Sequence, residues 1–407
     1  MMNSGDTAFI LASAGLVLLM VPGLALFYGG MVRSKNVLGT IMQSITAIAA
    51  VGIQWVLVGY SSAFGPDLGG ILGDLSWVGL SGVTSEPSTS YASTIPHNVF
   101  MIYQCMFAII TPALITGAFA ERTRFSAFLL VSVLWSILVY NPVCHWIWGA
   151  GGWLARLGVL DFAGGLVVHL TSGAAALAAV LIIGPRKGFG REHFMPHSLP
   201  LTVLGTGLLW FGWFGFNGGS ALAADGIAGT AIVSTHLAGM AGLAMWTGIE
   251  WVHRGKPTTL GAASGAVAGL ATVTPAAGFI SPPAALAIGL LAGATCYTAV
   301  NLKSRLRLDD SLDVVGIHGV GGLLGSLCLG IFASKAVNPK GVDGLLHGNP
   351  AFLGVQALGV LVVALYAFVI SWLLFKLVDL TIGLRLPAED EVTGLDLSEH
   401  SETAYNH

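Results

Sequence analysis

The chain has 407 residues, of which 17 are basic and 20 acidic. Its charged share of 9%, against about 25% in soluble domains, excludes an ordinary soluble enzyme. A net charge of −3 with no basic face excludes a binder of phosphate backbones, so no nucleic acid partner is expected.

Hydrophobic residues make up 55%, and the 56 glycines are about twice the usual share of about 7%. That pairing suits helices packed closely in lipid. The four cysteines, Cys105, Cys144, Cys296 and Cys328, lie in apolar stretches without Cys-x-x-Cys spacing, so they read as buried hydrophobes, with no disulfide frame and no metal site.

Met1 to Asp6 lacks a basic segment, and the apolar run that follows to Met31 is too long for a signal-peptide core, so it reads as a retained span. In chain order, apolar segments of spanning character fall at 7–31, 38–64, 98–120, 125–147, 161–183, 199–217, 227–251, 258–278, 282–301, 312–333 and 351–380. The breaks between them carry Gly, Pro or charge, as helix ends do, and no stretch alternates as a membrane barrel requires. Eleven helices put 14 of the 17 Lys and Arg on one side. Only Arg156, Lys335 and Lys340 are left on the other. The positive-inside rule then orients the chain with its N-terminus outside and its C-terminus in the cytoplasm.

Phe27-Tyr28-Gly29-Gly30 in the first span recurs as Phe216-Asn217-Gly218-Gly219 in the sixth, and Gly39-Thr40, Ser44 and Trp55 recur as Gly229-Thr230, Ser234 and Trp246. The fold class is therefore an all-α polytopic membrane protein with two inverted five-helix repeats and a final long helix. The repeats are placed at 1–183 and 199–333, the last helix at 351–382 and a cytoplasmic tail at 383–407. Inverted repeats set a transport site near the midplane, at their interface.

Ionisable groups inside spans are costly and point to function. His169 lies eight residues into the fifth span, about 12 Å at about 1.5 Å per residue, and His318 lies similarly deep in the tenth. The two imidazoles can meet at mid-membrane, or each can bond a neighbouring helix. His236 in the seventh span is equally deep, so depth alone does not select the pair. Asp161 and Asp313 stand near the starts of the two His-bearing spans, where a helix cap accounts for them. Aromatics crowd toward the outer ends: Tyr103 and Phe107, Trp146, Trp148 and Trp153, and Trp210, Phe211, Trp213, Phe214 and Phe216. Ring faces can hold a small cation there, with Ser220 adding a hydroxyl acceptor. No ring of carboxylates suggests a channel for hydrated metal ions.

These segments resemble the Amt/Mep/Rh ammonium transporter family, Amt branch. The matching runs are Phe107 with Phe119-Ala120-Glu121-Arg122-Thr123-Arg124-Phe125, Asp161-Phe162-Ala163-Gly164-Gly165 leading to His169, Gly212-Trp213-Phe214-Gly215-Phe216-Asn217, Val273-Thr274-Pro275, Asp313 to His318-Gly319, and the tail from Gly383-Leu384-Arg385 to Ser398-Glu399-His400. The resemblance implies a plasma-membrane homotrimer with one pore per subunit. Ammonium, or methylammonium as its analogue, is the implied substrate, recruited at Trp148, Phe107 and Ser220. Phe107 and Phe216 would close the entrance and the twin histidines His169 and His318 line the pore, with Asp161, Asp313 and Thr274 in support. No cofactor and no enzymatic reaction are implied.

Two positions depart from the family pattern. Tyr103 stands where many relatives carry Phe, and His236 is not a position the family pattern explains. The acidic segment from Pro387 to His407 reads by composition as a solvated tail. The resemblance implies that it contacts neighbouring subunits and helps a PII-type nitrogen regulator dock. Two rivals are weighed: an ammonium sensor that transports little, and a membrane haem protein using His169 and His318 as axial ligands, for which no second paired-His set or cofactor motif exists.

Overall fold

The chain is described here from a computed structural model that covers residues 1–405. The last two residues of the expected tail, Asn406 and His407, lie outside the described residues.

Among the described residues, eleven apolar helices build the molecule. They are α1 (Ser4–Met31), α2 (Val37–Gln54, continuing through Trp55–Gly59 to Tyr60–Phe64), α3 (His97–Phe119) and α4 (Phe125–Trp135, Ser136–Tyr140 and Asn141–Trp148). Then come α5 (Gly165–Leu170 and Thr171–Ile183), α6 (Leu199–Gly218), α7 (Gly226–Arg254), α8 (Thr259–Val273) and α9 (Pro282–Arg305). Finally α10 (Val315–Gly319 and Val320–Phe332) leads to α11 (Pro350–Thr381). Among the described residues, ten of these have the length and apolarity to cross a bilayer. The exception, α8, has 15 residues and at about 1.5 Å per residue falls short of a core about 30 Å thick.

Helix ends follow local chemistry. Asn3 caps α1 by accepting from the amides of Gly5 and Asp6, Asp225 caps α7 by accepting from Ile227 and Ala228, and Gly255 ends α7 at a φ of 78°. On α11 the residues Leu358, Leu361, Leu365, Leu373, Leu377 and Leu380 are exposed at a spacing of three or four, or a multiple of it. That is one helix face, apolar and turned outward, as lipid requires.

At three boundaries the helix falls short of the hydropathy reading by three residues or more. α5 begins at Gly165 rather than 161, α10 at Val315 rather than 312, and α8 stops at Val273 rather than 278. The stretches 161–164 and 274–278 are largely buried but not helical. Phe162 N donates to Pro275 O at 3.0 Å, so the entry to α5 is laced to the buried turn after α8. Hydropathy reports burial and cannot separate a helix from a buried loop satisfied by its neighbours.

α1 packs along α6, α7 against α8 and α9, and α5 against α10 and α11. Where α5 crosses α10, a Cβ on Gly319 would stand 3.2 Å from Gly173 Cα. Two glycines at the crossing let the backbones touch, a device of lipid-embedded packing. Both helices open on a π turn, a wide turn frequent at functional sites. Between α2 and α3 lie two short hairpins, β1 (Asp67–Leu68) with β2 (Leu72–Gly73) and β3 (Pro87–Ser88) with β4 (Ala92–Pro96).

The acidic tail does not stay solvated. Its helices α12 (Ala388–Thr393) and α13 (Leu395–His400) fold onto the loops at the end of the bundle that carries most of the basic residues, here the basic face. Glu391 and Asp396 are each 2% exposed. Glu391 accepts from Lys187 N at 2.7 Å and pairs with Arg385 at 2.8 Å. Asp396 accepts from Gly39 N at 2.8 Å, and Glu399 from Phe125 N at 2.7 Å. Acidity that reads as solvation in sequence is here a set of acceptors for loop amides.

Candidate functional site: an aromatic vestibule above two stacked imidazoles

At the end of the bundle opposite the basic face a cavity of about 340 Å³ opens between α2, α3, α4 and the start of α5. Tyr91, Gln104, Phe107, Trp148, Asp161 and Ser220 line it. Trp148 ends α4 and is held by its indole N–H, which donates to the Asp161 carbonyl at 2.8 Å. The edge of Phe107 meets Trp148 with ring centres 5.9 Å apart. Ser220 Oγ donates to the Phe216 carbonyl at 2.8 Å.

The floor of the vestibule is the pair Phe107 and Phe216, with ring centres 4.3 Å apart and each ring 1% exposed. Beneath them lies a second cavity of about 10 Å³, lined by aliphatic and aromatic groups from α1, α3, α6 and α8 and by His169 and His318. That is room for about one water-sized molecule. The two imidazoles are its only titratable lining.

His169 Nδ1 and His318 Nδ1 are 3.2 Å apart, with ring centres 5.2 Å apart at 24°. Two neutral rings can share that bond only as complementary tautomers, one donating and one accepting. The donor ring's Nε2 is then a free acceptor and the acceptor ring's Nε2 carries a proton. His169 Nε2 is buried with no protein partner. Trp213 packs on His169 at 5.6 Å and Phe216 at 6.1 Å. Thr274 fixes that wall by accepting from Trp213 Nε1 at 2.9 Å.

The loop into α5 is organised by Asp161. Its Oδ1 accepts from Gly164 N and Gly165 N, both at 2.8 Å, and its Oδ2 from Leu166 N at 2.7 Å and Val167 N at 3.1 Å. One carboxylate thereby satisfies the amides of the first turn, which a helix start leaves unpaired. At α10 the equivalent cap is Asp310, accepting from Val314 N at 3.1 Å and Val315 N at 2.8 Å. Asp313 instead sits at a φ of 66° and pairs with Lys303. The spacing held the signal: Asp161 precedes His169 by eight residues, and Asp310 precedes His318 by the same eight.

His236 stays apart from these groups. It is exposed on α7 beside Trp210 and Phe214, at ring distances of 5.5 and 6.1 Å. Sequence reasoning also missed Gln104, whose Oε1 is buried without a protein partner at the vestibule wall. The axial-haem reading fails on geometry. The cavity that the two imidazoles line holds about 10 Å³, far too little for a porphyrin plane.

At the basic face, below α10, a buried charge cluster closes the bundle. Arg186 Nη2 meets Asp309 Oδ1 at 2.7 Å, and Glu121 accepts from Arg33 Nη2 at 2.8 Å and Arg186 Nη1 at 3.1 Å. Burial alone would raise both carboxyls, yet Arg186 beside both, with Arg33 at Glu121 and Arg122 near Asp309, holds them below their ordinary values. Asp310 goes the other way: burial pushes it up to about 6, against the pull of Lys303. Among the described residues, no group of three or more His, Cys, Asp or Glu is placed to hold a metal ion.

A helical membrane protein with a wide aromatic mouth and a narrow apolar cavity beyond it belongs to the class that handles small solutes across bilayers. Residues 8–405 match the Ammonium Transporter Family. An ammonium transporter of Bacillus subtilis (strain 168) is 51% identical over 405 residues, covering 99% of each chain. The crystal structure of Saccharomyces cerevisiae Mep2 superposes with a TM-score of 0.90 at 39% identity, covering 96% of this chain and 89% of the other. A structure described as a sensor Amt protein superposes with a TM-score of 0.89 at 30% identity, covering 97% and 98%. The chain belongs to the ammonium transporter family.

Proposed function

We propose that this protein moves ammonium across the cell membrane by binding NH₄⁺ in the aromatic vestibule and conducting NH₃ past the two histidines. The observation that carries the reading is the change of surroundings at Phe107 and Phe216: an open mouth of aromatic and polar groups gives way to a cavity of about 10 Å³ with imidazoles as its only titratable walls. Trp148, Phe107 and Ser220 form the recruitment site. Each ring face contributes about 0.5 to 2 kcal/mol toward a cation. Phe107 and Phe216 are the gate.

Beyond the gate a bare cation would have to be desolvated into apolar walls, at an idealised cost of tens of kcal/mol. Na⁺ and K⁺ cannot shed their charge and are refused. NH₄⁺ can give up its proton, either back to the vestibule or along the imidazole pair, and pass as NH₃. The complementary tautomers of His169 and His318 then offer ammonia one acceptor and one donor. Asp161 holds the first turn of α5 in place, and Thr274 holds Trp213 against His169. The protein is a transporter and not an enzyme.

The 14 to 3 distribution of basic residues supports an N-terminus outside and a cytoplasmic basic face. A homotrimer of two inverted five-helix halves per subunit is the assembly that the family resemblance implies. The folded tail on the basic face is the surface we assign to a PII-type regulator.

The test is purified protein in liposomes, reading ammonium-dependent current and methylammonium uptake with K⁺ as competitor. Saturable flux insensitive to K⁺ is expected, and Trp148→Leu should change its KM or its maximum. Identical saturation curves would remove Trp148 from the site. The likeness to a sensor Amt protein keeps one second reading, a sensor, which binding without flux would favour.

A further inference from the structure

Tyr103 lies one turn before Phe107 on α3 and is fully buried. Its hydroxyl is 2.9 Å from the Gly215 carbonyl, 2.8 Å from the Phe216 carbonyl and 3.2 Å from Ser220 Oγ. The edge of its ring meets Phe107 at 5.1 Å and 72°. One phenol therefore touches both gate rings' residues and the polar group of the vestibule. Its acceptors lie in the last turn of α6, where the Gly215 carbonyl also takes the Gly219 amide. A Cβ on Gly219 would sit 2.6 Å from the phenol oxygen, so the close approach depends on a glycine there.

The cluster has two hydroxyl protons. Tyr103 can donate to either carbonyl or to Ser220, and Ser220 can donate to Phe216 O at 2.8 Å or to Tyr103. In every arrangement that uses both protons inside the cluster, the Ser220 proton points into the protein and a lone pair faces the vestibule. Such a group accepts from a ligand and donates nothing to it. An ammonium-type cation has four N–H donors and no lone pair, so it matches; neutral ammonia, which also needs a donor, is matched less well.

We propose that Tyr103 is a positioning residue of the vestibule: its hydroxyl holds Ser220 as a dedicated acceptor for an ammonium-type cation and ties that acceptor to the gate. The inference rests on the reading that the vestibule binds ammonium.

The experiment compares saturation curves of ammonium-dependent current in liposomes for wild type, Tyr103→Phe, Ser220→Ala and the double variant. Tyr103→Phe should raise KM by about threefold to tenfold, the worth of one hydrogen bond, with the maximal current kept. The double variant should match Ser220→Ala alone, because the phenol acts through that hydroxyl. A general packing role would instead add its effect to that of Ser220→Ala. If Tyr103→Phe does not fold, Gly219→Ala drives a methyl group against the same phenol oxygen and should raise KM in the same direction. An unchanged KM in whichever variant folds, or additive effects in the double variant, overturns the role of Tyr103. Absence of both saturable current and methylammonium uptake in the wild type would instead remove the ammonium reading beneath it.

Discussion

The starts of α5 and α10 are built alike and balanced differently. Each opens on a π turn, each presents a histidine in that turn, and each is capped by an aspartate eight residues ahead of the histidine. At α5 the cap receives four amides and, among the described residues, bonds no cationic side chain. At α10 the cap receives two amides, and Lys303 bonds the Asp310 carbonyl at 2.6 Å and the Asp313 carboxylate. On the proposed reading the difference has a use. The vestibule end keeps negative character that no protein cation cancels, which favours an arriving cation. At the basic face the charge is already matched, so nothing there retains a departing neutral molecule.

The largest difference between the two helix starts is expected at Asp161. Asp161→Ala strands four buried amides, each costing about 1–3 kcal/mol, so folded yield in detergent should collapse. Asp161→Asn keeps an acceptor and loses the charge, and it should fold with weakened ammonium affinity. Asp310→Ala strands only two amides and should be milder in a thermal scan. Equal losses at both ends would erase the asymmetry.

A smaller effect is expected one layer deeper. His169→Ala should leave the bundle folded and change conduction or the discrimination between ammonium and K⁺, read as current in liposomes. Flux and selectivity equal to wild type would contradict the paired-imidazole path.

The smallest effect is in the pH dependence of stability. Asp310 is raised from its ordinary 3.8 to about 6, so the folded state holds its proton more tightly. Its contribution is complete below about 3.8 and is lost as pH rises through about 6. Glu121 and Asp309 are lowered from 4.5 and 3.8. Their contribution is present above those values and is lost as pH falls below them. Melting temperature should therefore rise as pH drops through about 6 and fall again below about 4.5. Asp310→Asn should abolish the rise and leave the acid fall, and a rise that survives in that variant would assign it elsewhere.

Much of this was legible in the chain. Apolar length set eleven helices, and the rarity of Lys and Arg made their placement countable. His169 and His318 stood out because a titratable group in a span is expensive wherever it lies. Other features were hidden. Asp310 was open to sight through its eight-residue spacing, but Asp313 is nearer the helix and reads as the stronger cap. The non-helical entries at 161–164 and 274–281 are as apolar as helix, so only their hydrogen bonds reveal them. The tail's acids look solvated until loop amides are found against them.

Transfer free energies act residue by residue, so the order of amino acids already sets the solvent of this protein, the number of its helices and which groups are costly to bury. Helix packing brings His169 to His318, 149 residues away, and leaves His236 facing outward. That choice rests on backbone contact at Gly173 and Gly319, a property of two helices together that neither helix carries alone.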